Sequence, residues 1–274
     1  MINFLFILFF CGILVASIQD LRRREVDNYV NFFILASGLT YILFSAIYEM
    51  NFYIVLMGLL SLGVMFVLAN GFYYGRVFAG GDAKLLIAMA ALFVAVSWKS
   101  TLLNIGLFVL FLMISGAIWG IFYSLIMVFK NYSEVKMQIK KEIRSSYLKY
   151  YLIGGIVLLL LGFFNSLFLF FSGFVFLGGI LFVFAKTVEK AVMIKLIDSR
   201  KLREGDWLVD GVKVGKKTIK PDWEGLTKSD LVLLRKINRK IKIKDGIPFV
   251  PAFFIAFLVF VFREQIITWF LGLI

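Results

Sequence analysis

The chain has 274 residues, of which 61% are hydrophobic and 18% aromatic, and it carries a net charge of +13. A soluble domain of this length cannot cover so much apolar surface, so the composition excludes an ordinary globular protein and indicates several membrane spans. The basic residues gather between the apolar runs, where anionic headgroups and the positive-inside rule account for them. We therefore expect anionic membrane lipids as partners and no nucleic acid.

The absence of histidine excludes His-based catalysis, imidazole metal sites and imidazole proton relays. The single cysteine, Cys11, lies inside the first apolar run and cannot form an intrachain disulfide or a Cys-rich zinc site. We expect it to pack rather than to act as a nucleophile. Acid–base chemistry then falls to Asp, Glu, Lys or Tyr, with neither a metal nor a cofactor.

The apolar run over 2–18 is followed by Arg22, Arg23 and Arg24. A cleaved signal peptide would carry its charge before the run, so this pattern predicts a retained first helix with its N-terminus outside. Residues 20–27 would then lie in the cytoplasm. Further spans are predicted, in chain order, over 28–48, 52–74, 84–97 and 101–129.

The apolar stretch 150–185 is flanked on both sides by Lys/Arg-rich segments, which predicts an even number of crossings. We expect a hairpin that turns near Asn165–Ser166 or Ser172–Gly173, and a last helix that starts near Pro248. The predicted fold is an all-α polytopic integral membrane protein of about eight transmembrane helices (six to eight). We predict five segments: a membrane domain with the catalytic aspartates (1–129), a basic cytoplasmic loop (130–149), the hairpin (150–185), a small cytoplasmic α+β segment (186–247) and the last helix (248–274).

The polar segment 186–247 contains DWLVDGVKVGKK, which alternates around Asp210–Gly211, a dipeptide suited to a hairpin turn. Further on, Thr227 and Asp230 have the spacing of a capping box before an amphipathic helix in LTKSDLVLLRKINRKI. Without a nucleophile or a phosphate-binding loop, this segment is interpreted as a structural or substrate-positioning module.

Two aspartates are predicted to meet on one side of the membrane. Asp20 ends the first apolar run, and Asp82 lies in the stretch AGGDAK over 79–84. An even number of crossings separates them, so both reach the cytoplasmic side. Two close carboxyls share one proton, and the ionised member can activate water while the protonated member polarises a scissile carbonyl. Either aspartate could hold the proton.

Gly80 and Gly81 would let the backbone turn tightly before Asp82 and approach an extended substrate peptide. A simpler interpretation is that Asp82 only caps a helix, with Lys84 reaching the headgroups. In the same way, Asp20 could only neutralise one of the arginines that follow it.

The stretches QDLRRREVDN and GGDAK resemble the archaeal type IV prepilin and preflagellin (archaellin) peptidases, membrane aspartyl proteases of the GxGD class. In that motif, Gly-x-Gly-Asp is usually followed by Lys two residues later. Gly81, Asp82 and Lys84 match it, whereas Ala79 stands at the first glycine. Asn28 also matches, at the end of a family pattern that begins with the first aspartate.

The resemblance implies that Asp20 and Asp82 are the catalytic pair, and that the substrates are pilin or archaellin precursors with a short basic leader. Cleavage would fall at the cytoplasmic edge of the substrate's apolar helix. Bacterial relatives methylate the new N-terminus and carry paired Cys-x-x-Cys sequences. Because this chain has only Cys11, we expect peptidase activity without a zinc-bearing segment or methylation, and an archaeal source.

Substrate contacts are expected at a few further positions. DGIPFVPAF, with Pro248 and Pro251, is similar to the entry of the family's closing helix, although both prolines would also suit an ordinary helix start. Glu25 and Asp27 are acids that could contact a basic leader or only balance the arginines beside them. Lys84 could tune Asp82 or anchor its helix. With Asn28, these residues complete the predicted site.

Two other classes of function compete with the peptidase. An ion- or proton-coupled transporter would place acids near the bilayer midplane and would show inverted repeats, which the sequence does not. A non-enzymatic assembly or anchoring subunit would need neither aspartate.

Overall fold

The computed structural model describes residues 4–144, 146–215 and 217–272, and the chain is mostly helical. Within these ranges, five helices are long and apolar enough to cross a membrane, or up to seven if each of two bent helix pairs is one span. The chain is therefore a multi-pass membrane protein. It divides into two compact units, Met1–Phe122 with Ile247–Ile274, and Tyr123–Gly246.

The elements follow one another closely along the chain. The helices are α1 (Phe4–Arg23), α2 (Asn28–Tyr48), α3 (Tyr53–Tyr74), α4 (Gly80–Ala88), α5 (Trp98–Lys130), α6 (Tyr132–Ile143), α7 (Ser146–Leu161), α8 (Ser166–Val188), α9 (Lys228–Leu234), α10 (Val250–Val261) and α11 (Arg263–Leu271). The strands are β1 (Ile194–Asp198), β2 (Trp207–Leu208), β3 (Val212–Val214), β4 (Lys217–Ile219) and β5 (Lys240–Lys244).

The span expected over 84–97 is not formed. The chain instead makes the short helix α4, a 3₁₀ segment over Met89–Phe93 and an irregular stretch before α5. At about 1.5 Å per α-helical and 2.0 Å per 3₁₀ residue, this piece is about 23 Å long, against about 30 Å for the hydrocarbon core. The expected total of eight spans is therefore not confirmed.

Side chains satisfy the backbone where this helix breaks. Ser61 on α3, fully buried, donates its hydroxyl to the Ala90 carbonyl at 2.7 Å, and Thr101 Oγ1 accepts the Ala95 N–H at 3.1 Å. A non-helical backbone at membrane depth is tolerated only where such partners lie inside the protein. Ser61 and Thr101 therefore make the broken segment possible.

The core of the first unit forms around α10. Phe253 and Phe257 on this helix are fully buried, and they belong to the same cluster as Phe9, Phe93 and Phe108. The last helix was expected to start near Pro248, and α10 begins at Val250. It is followed by α11 at a bend of 66°, with Arg263 packed over the Phe260 ring where the bend occurs.

In the second unit, α7 and α8 form a helical hairpin within the expected stretch, with its turn at the first of the two expected sites. Asn165 caps α8 by accepting the Leu167 N–H at 2.9 Å. The segment expected to be a basic loop contains the helix α6. Its Glu142 is buried and accepts hydrogen bonds from Lys190 at 2.7 Å and Gln138 at 2.8 Å, which ties α6 to the end of α8.

The sheet differs from the pairing that Asp210–Gly211 suggested. β2 pairs with β5 rather than with β3, so the three-stranded antiparallel order is β1-β5-β2. β3 pairs instead with β4, and the turn contains Gly215 at φ +59°. The Thr227–Asp230 capping box is confirmed, but its helix ends at Leu234 and the following Lys/Ile alternation becomes β5.

The register gives the three-stranded sheet two unlike faces. Ile241 and Ile243 of β5 point to the buried face with Leu208. On the opposite face, the alternation along the strands places three lysines of β5 beside an exposed leucine and a tryptophan: Lys240, Lys242, Lys244, Leu196 and Trp207. This group is called the lysine face below.

Close helix packing gives a test of the first unit. A Cβ added at Gly38 on α2 would lie 2.8 Å from the Ala91 Cβ, whereas one at Gly63 on α3 would meet nothing within 4 Å. We expect Gly38→Ala to destabilise the protein by about 1–3 kcal/mol through overpacking. Gly63→Ala should be neutral or slightly stabilising. Equal melting temperatures of the two variants in detergent would contradict this packing.

Candidate active site

Asp20 lies in the last turn of α1 and is only 6% exposed. Its Oδ2 accepts the backbone N–H of Val250, the first residue of α10, at 2.9 Å. These residues are 230 positions apart in the chain. Asp20 is therefore fixed by the N-terminus of another helix, where the amide groups and the helix dipole favour a negative charge.

The two prolines of the expected closing helix lie beside this contact. Pro248 is buried, and its carbonyl accepts the Trp119 indole N–H at 2.7 Å. Pro251 is buried in the first turn of α10, where its missing N–H costs little. The prolines thus shape the entrance of the helix that reaches Asp20.

Asp82 is the third residue of α4 and is partly buried. Its Oδ2 accepts the backbone N–H of Ala79 at 3.2 Å, so the capping role considered as an alternative is present. Such a bond leaves the other carboxyl oxygen of Asp82 available. Capping and chemistry are therefore compatible at this residue.

The tight turn expected at Gly80 and Gly81 is not there. Both glycines are in the first turn of α4, and neither has positive φ. A Cβ at Gly81 would meet nothing within 4 Å, and one at Gly80 would meet only the Tyr73 ring at 3.7 Å. The glycines therefore leave open space above the start of α4 rather than supply a special backbone conformation.

The carboxyl of Asp82, which lies outside the candidate spans, has a pKa raised to about 7. Loss of hydration on burial is the larger cause, and the negative charge of Asp20 is the second. The Ala79 N–H opposes both by favouring the ionised form. The charge effect means that the two expected aspartates are brought within electrostatic range of each other.

Asn28 and Lys84 are also brought together. Lys84 Nζ donates to Asn28 Oδ1 at 2.9 Å, which links the start of α2 to the first turns of α4. Lys84 is otherwise exposed. The ammonium group is thus held close to the start of α4 by a side chain from the stretch that follows Asp20.

The acids proposed for leader contact lie at the surface between α1 and α2. Glu25 is exposed. Asp27 precedes α2, lies 3.6 Å from Arg23 Nη1 and donates its backbone N–H to Gln19 at 3.1 Å. For Asp27, the charge-balance alternative is therefore present, although an exposed ion pair of this kind is weak.

Sequence reasoning missed Val250, Trp119 and Phe78. Phe78 precedes the cap of α4, and its ring centre lies 5.4 Å from that of Phe249 and 5.8 Å from that of Phe253. The paired prolines were the only signal for this region, since a backbone N–H leaves no trace in the sequence. Among the described residues, no group of three or more His, Cys, Asp or Glu could hold a metal ion.

The interaction between the aspartates can be tested by titration. Infrared difference spectra should show a carboxyl that loses its proton at about pH 7 and disappears in Asp82→Asn. In Asp20→Asn the same signal should move to lower pH, because a neutral amide removes one cause that raises the pKa of Asp82. Asp210→Asn, in the second unit, should leave it unchanged. A signal that stays at the same pH in Asp20→Asn would contradict the electrostatic contact.

Comparison with known proteins finds a peptidase family and a curated relative that the chain resembles. Residues 7–129 match the model of the type IV leader peptidase family. The chain is similar to a preflagellin peptidase of Methanococcus maripaludis, at 28% identity over 128 residues, which is 44% of this chain and 55% of the relative. The chain thus spans about half the length of that curated relative. No solved structure matches the chain. The matched residues, 7–129, are similar to the type IV leader peptidase family and contain both Asp20 and Asp82.

Proposed function

We propose that this chain is a membrane aspartic endopeptidase in which Asp20 and Asp82 activate water. The observation that carries the proposal is the meeting of two carboxyls from distant helices, close enough that the charge of Asp20 adds to the effect of burial in raising the pKa of Asp82 to about 7. A pair that shares one proton at neutral pH is what acid–base hydrolysis without histidine or metal requires.

The surroundings of the two carboxyls support different roles for them. Asp20 receives the Val250 N–H at the start of α10, which favours its ionised form. Asp82, whose pKa is raised to about 7, can hold a proton at neutral pH. We therefore assign Asp20 as the general base and Asp82 as the general acid.

The reaction then follows in two proton-balanced steps. Water attacks the scissile carbonyl carbon, Asp20 takes a proton from that water, and Asp82 gives its proton to the carbonyl oxygen, which forms a gem-diol. In the second step, Asp20 returns its proton to the amide nitrogen and Asp82 takes one from a diol hydroxyl, while the C–N bond breaks. Both carboxyls are thereby restored to their starting states.

The substrate would enter over the first turn of α4. The space above Gly81 is open, so an extended peptide can approach the backbone beside Asp82. Lys84, held by Asn28, adds a positive charge to α4 two residues after Asp82. We place the wall of the site at Gly80, Gly81 and Lys84. The buried Pro248 and Pro251 act indirectly, because they shape the start of α10.

The proposed substrates are type IV pilin-like or archaellin precursors, cut between a short basic leader and an apolar helix. The relative named a preflagellin peptidase and the leader peptidase family support this class. Asp20 and Asp82 both lie at helix ends, where the apolar helix of a precursor would leave the bilayer. We place the site at the cytoplasmic face with the N-terminus outside, because Arg22, Arg23 and Arg24 follow α1.

We further propose that the lysine face of the second unit contacts anionic lipid headgroups. The unit holds 23 Lys or Arg and 11 Asp or Glu, so it carries +12 of the chain's net +13. Only the π-helical turn Glu189–Met193 separates the apolar helix α8 from β1, which keeps the sheet near the bilayer. Lys242 lies 3.6 Å from Asp210 and Lys244 lies 2.8 Å from Glu189, so headgroups would compete with these acids. Lysines beside an exposed leucine and a tryptophan suit an interface that is anionic outside and apolar beneath.

A label on the lysine face tests this contact. In full-length Cys11→Ser/Leu196→Cys protein, a polarity-sensitive fluorophore should report a less polar environment in nanodiscs with anionic lipid than in zwitterionic ones. The difference should vanish at high salt and in Lys240→Glu/Lys242→Glu. The same charge change at Lys213 and Lys217 on the β3–β4 hairpin is the control. Identical spectra in both lipids would rule the contact out.

Cleavage of a model prepilin in membranes tests the peptidase. Asp20→Asn and Asp82→Asn should each lower the rate by at least about 10²-fold, because an amide can neither accept nor deliver the transferred proton. Asn at 82 can still accept the Ala79 N–H, so the helix cap survives. Glu49→Gln, at the far end of α2, is the control for expression and should cleave normally.

If either aspartate variant still cleaves the substrate at a normal protein level, that aspartate is only a helix cap or a charge partner. The transporter and anchoring alternatives would then be the ones to test.

A further inference from the structure

Two residues of α5 hold the entrance of α10, and the proposed chemistry does not use either of them. Trp119 donates its indole N–H to the Pro248 carbonyl at 2.7 Å. A Cβ added at Gly116 would lie 2.7 Å from the Phe249 ring, so that ring packs directly on the helix backbone. Gly116 and Trp119 are three residues apart and therefore share one face of α5.

The hydrogen bond from Trp119 gives the Pro248 carbonyl a partner that the helix does not supply. Pro248 precedes α10, whose first residue is Val250, so its carbonyl lies outside the helical hydrogen-bond pattern. It is nevertheless in a buried residue, where an unpaired carbonyl would be costly. The indole both satisfies this carbonyl and fixes its position.

The fixed segment leads at once to the aspartate pair. Pro248 is two residues from Val250, at most about 7 Å along an extended chain, and Val250 donates its N–H to Asp20. Phe249, between them, lies against Phe78, the residue before the cap of α4. A shift of Pro248 or Phe249 would therefore reach the supports of both aspartates.

We propose that Gly116 and Trp119 are positioning residues for the aspartate pair, which hold residues 248–250 so that the Val250 N–H stays on Asp20. This inference rests on the proposed peptidase function for its effect on rate. Its structural part does not, since the position of the Val250 N–H can be measured without a substrate.

Amide hydrogen exchange on the full-length protein supplies that measurement. Pro248 and Pro251 have no N–H, so the stretch 248–251 reports on Phe249 and Val250 alone. In Trp119→Phe, which keeps an aromatic ring but loses the donor, exchange of these two amides should be faster by about tenfold. Gly116→Ala should act in the same way by displacing the Phe249 ring.

The matched control is Gly120→Ala, one turn further along α5. A Cβ there would meet nothing within 4 Å, so it makes the same chemical change without touching residues 248–250. Its exchange and cleavage rates should equal those of the wild type. General loosening of the fold would instead speed exchange throughout α1 and α10, which separates a misfolded variant from a displaced segment.

Cleavage kinetics complete the test. Trp119→Phe and Gly116→Ala should lower kcat by about tenfold with little change in KM, and the acid limb of the pH–rate profile should move to higher pH. Unchanged exchange at 249 and 250 would overturn the inference whatever the rates, and faster exchange with a normal kcat would also overturn it. If the wild type itself does not cleave, the proposed function fails while the exchange data still decide whether α5 positions this segment.

Discussion

The hydrogen bond from Val250 to Asp20 is the contact on which the first unit depends. It joins the first helix of the chain to the last membrane segment, and it does so at the one place where α10 offers free amide groups. Around it, Phe78 brings the cap of α4 against Phe249 and Phe253. The proposed site thus lies where α1, α4 and α10 meet, although these helices are far apart in the sequence.

The short helix α4 belongs to this arrangement. The break after Ala88 leaves a helix of nine residues with Asp82 in its first turn. The carbonyl released by the break is taken by Ser61. Asp82 consequently lies near a helix end, partly buried and beside Asp20, which are the conditions that raise its pKa.

Part of this site could be predicted from sequence. The charges around α1 and the two apolar runs after it were enough to bring Asp20 and Asp82 to one side, because that argument needs only the parity of crossings. The break in 84–97 could not be predicted, since hydropathy does not distinguish a spanning helix from a shorter one that is equally apolar. The partner of Asp20 was equally hidden, because it is a main-chain group of a residue 230 positions away.

The second unit shows the same limit for strands. Asp210–Gly211 favoured a local hairpin, but β2 pairs with β5 more than thirty residues later, and only that pairing separates the isoleucines of β5 from its lysines. The capping box at Thr227 was predictable because all its atoms lie within four residues. Contacts within a few residues could therefore be predicted from the sequence, whereas the pairing of distant strands could not.

The pairing of β1 with β5 brings the two ends of the segment 194–244 together. Ile194 and Lys244 are opposite each other in the ladder, so the segment between them leaves and returns at one point, with its ends about 5 Å apart. A module with adjoining ends can be lengthened, shortened or exchanged without changing the gap that its neighbours must bridge. The sheet region could therefore change in length without moving the two points at which the chain enters and leaves it.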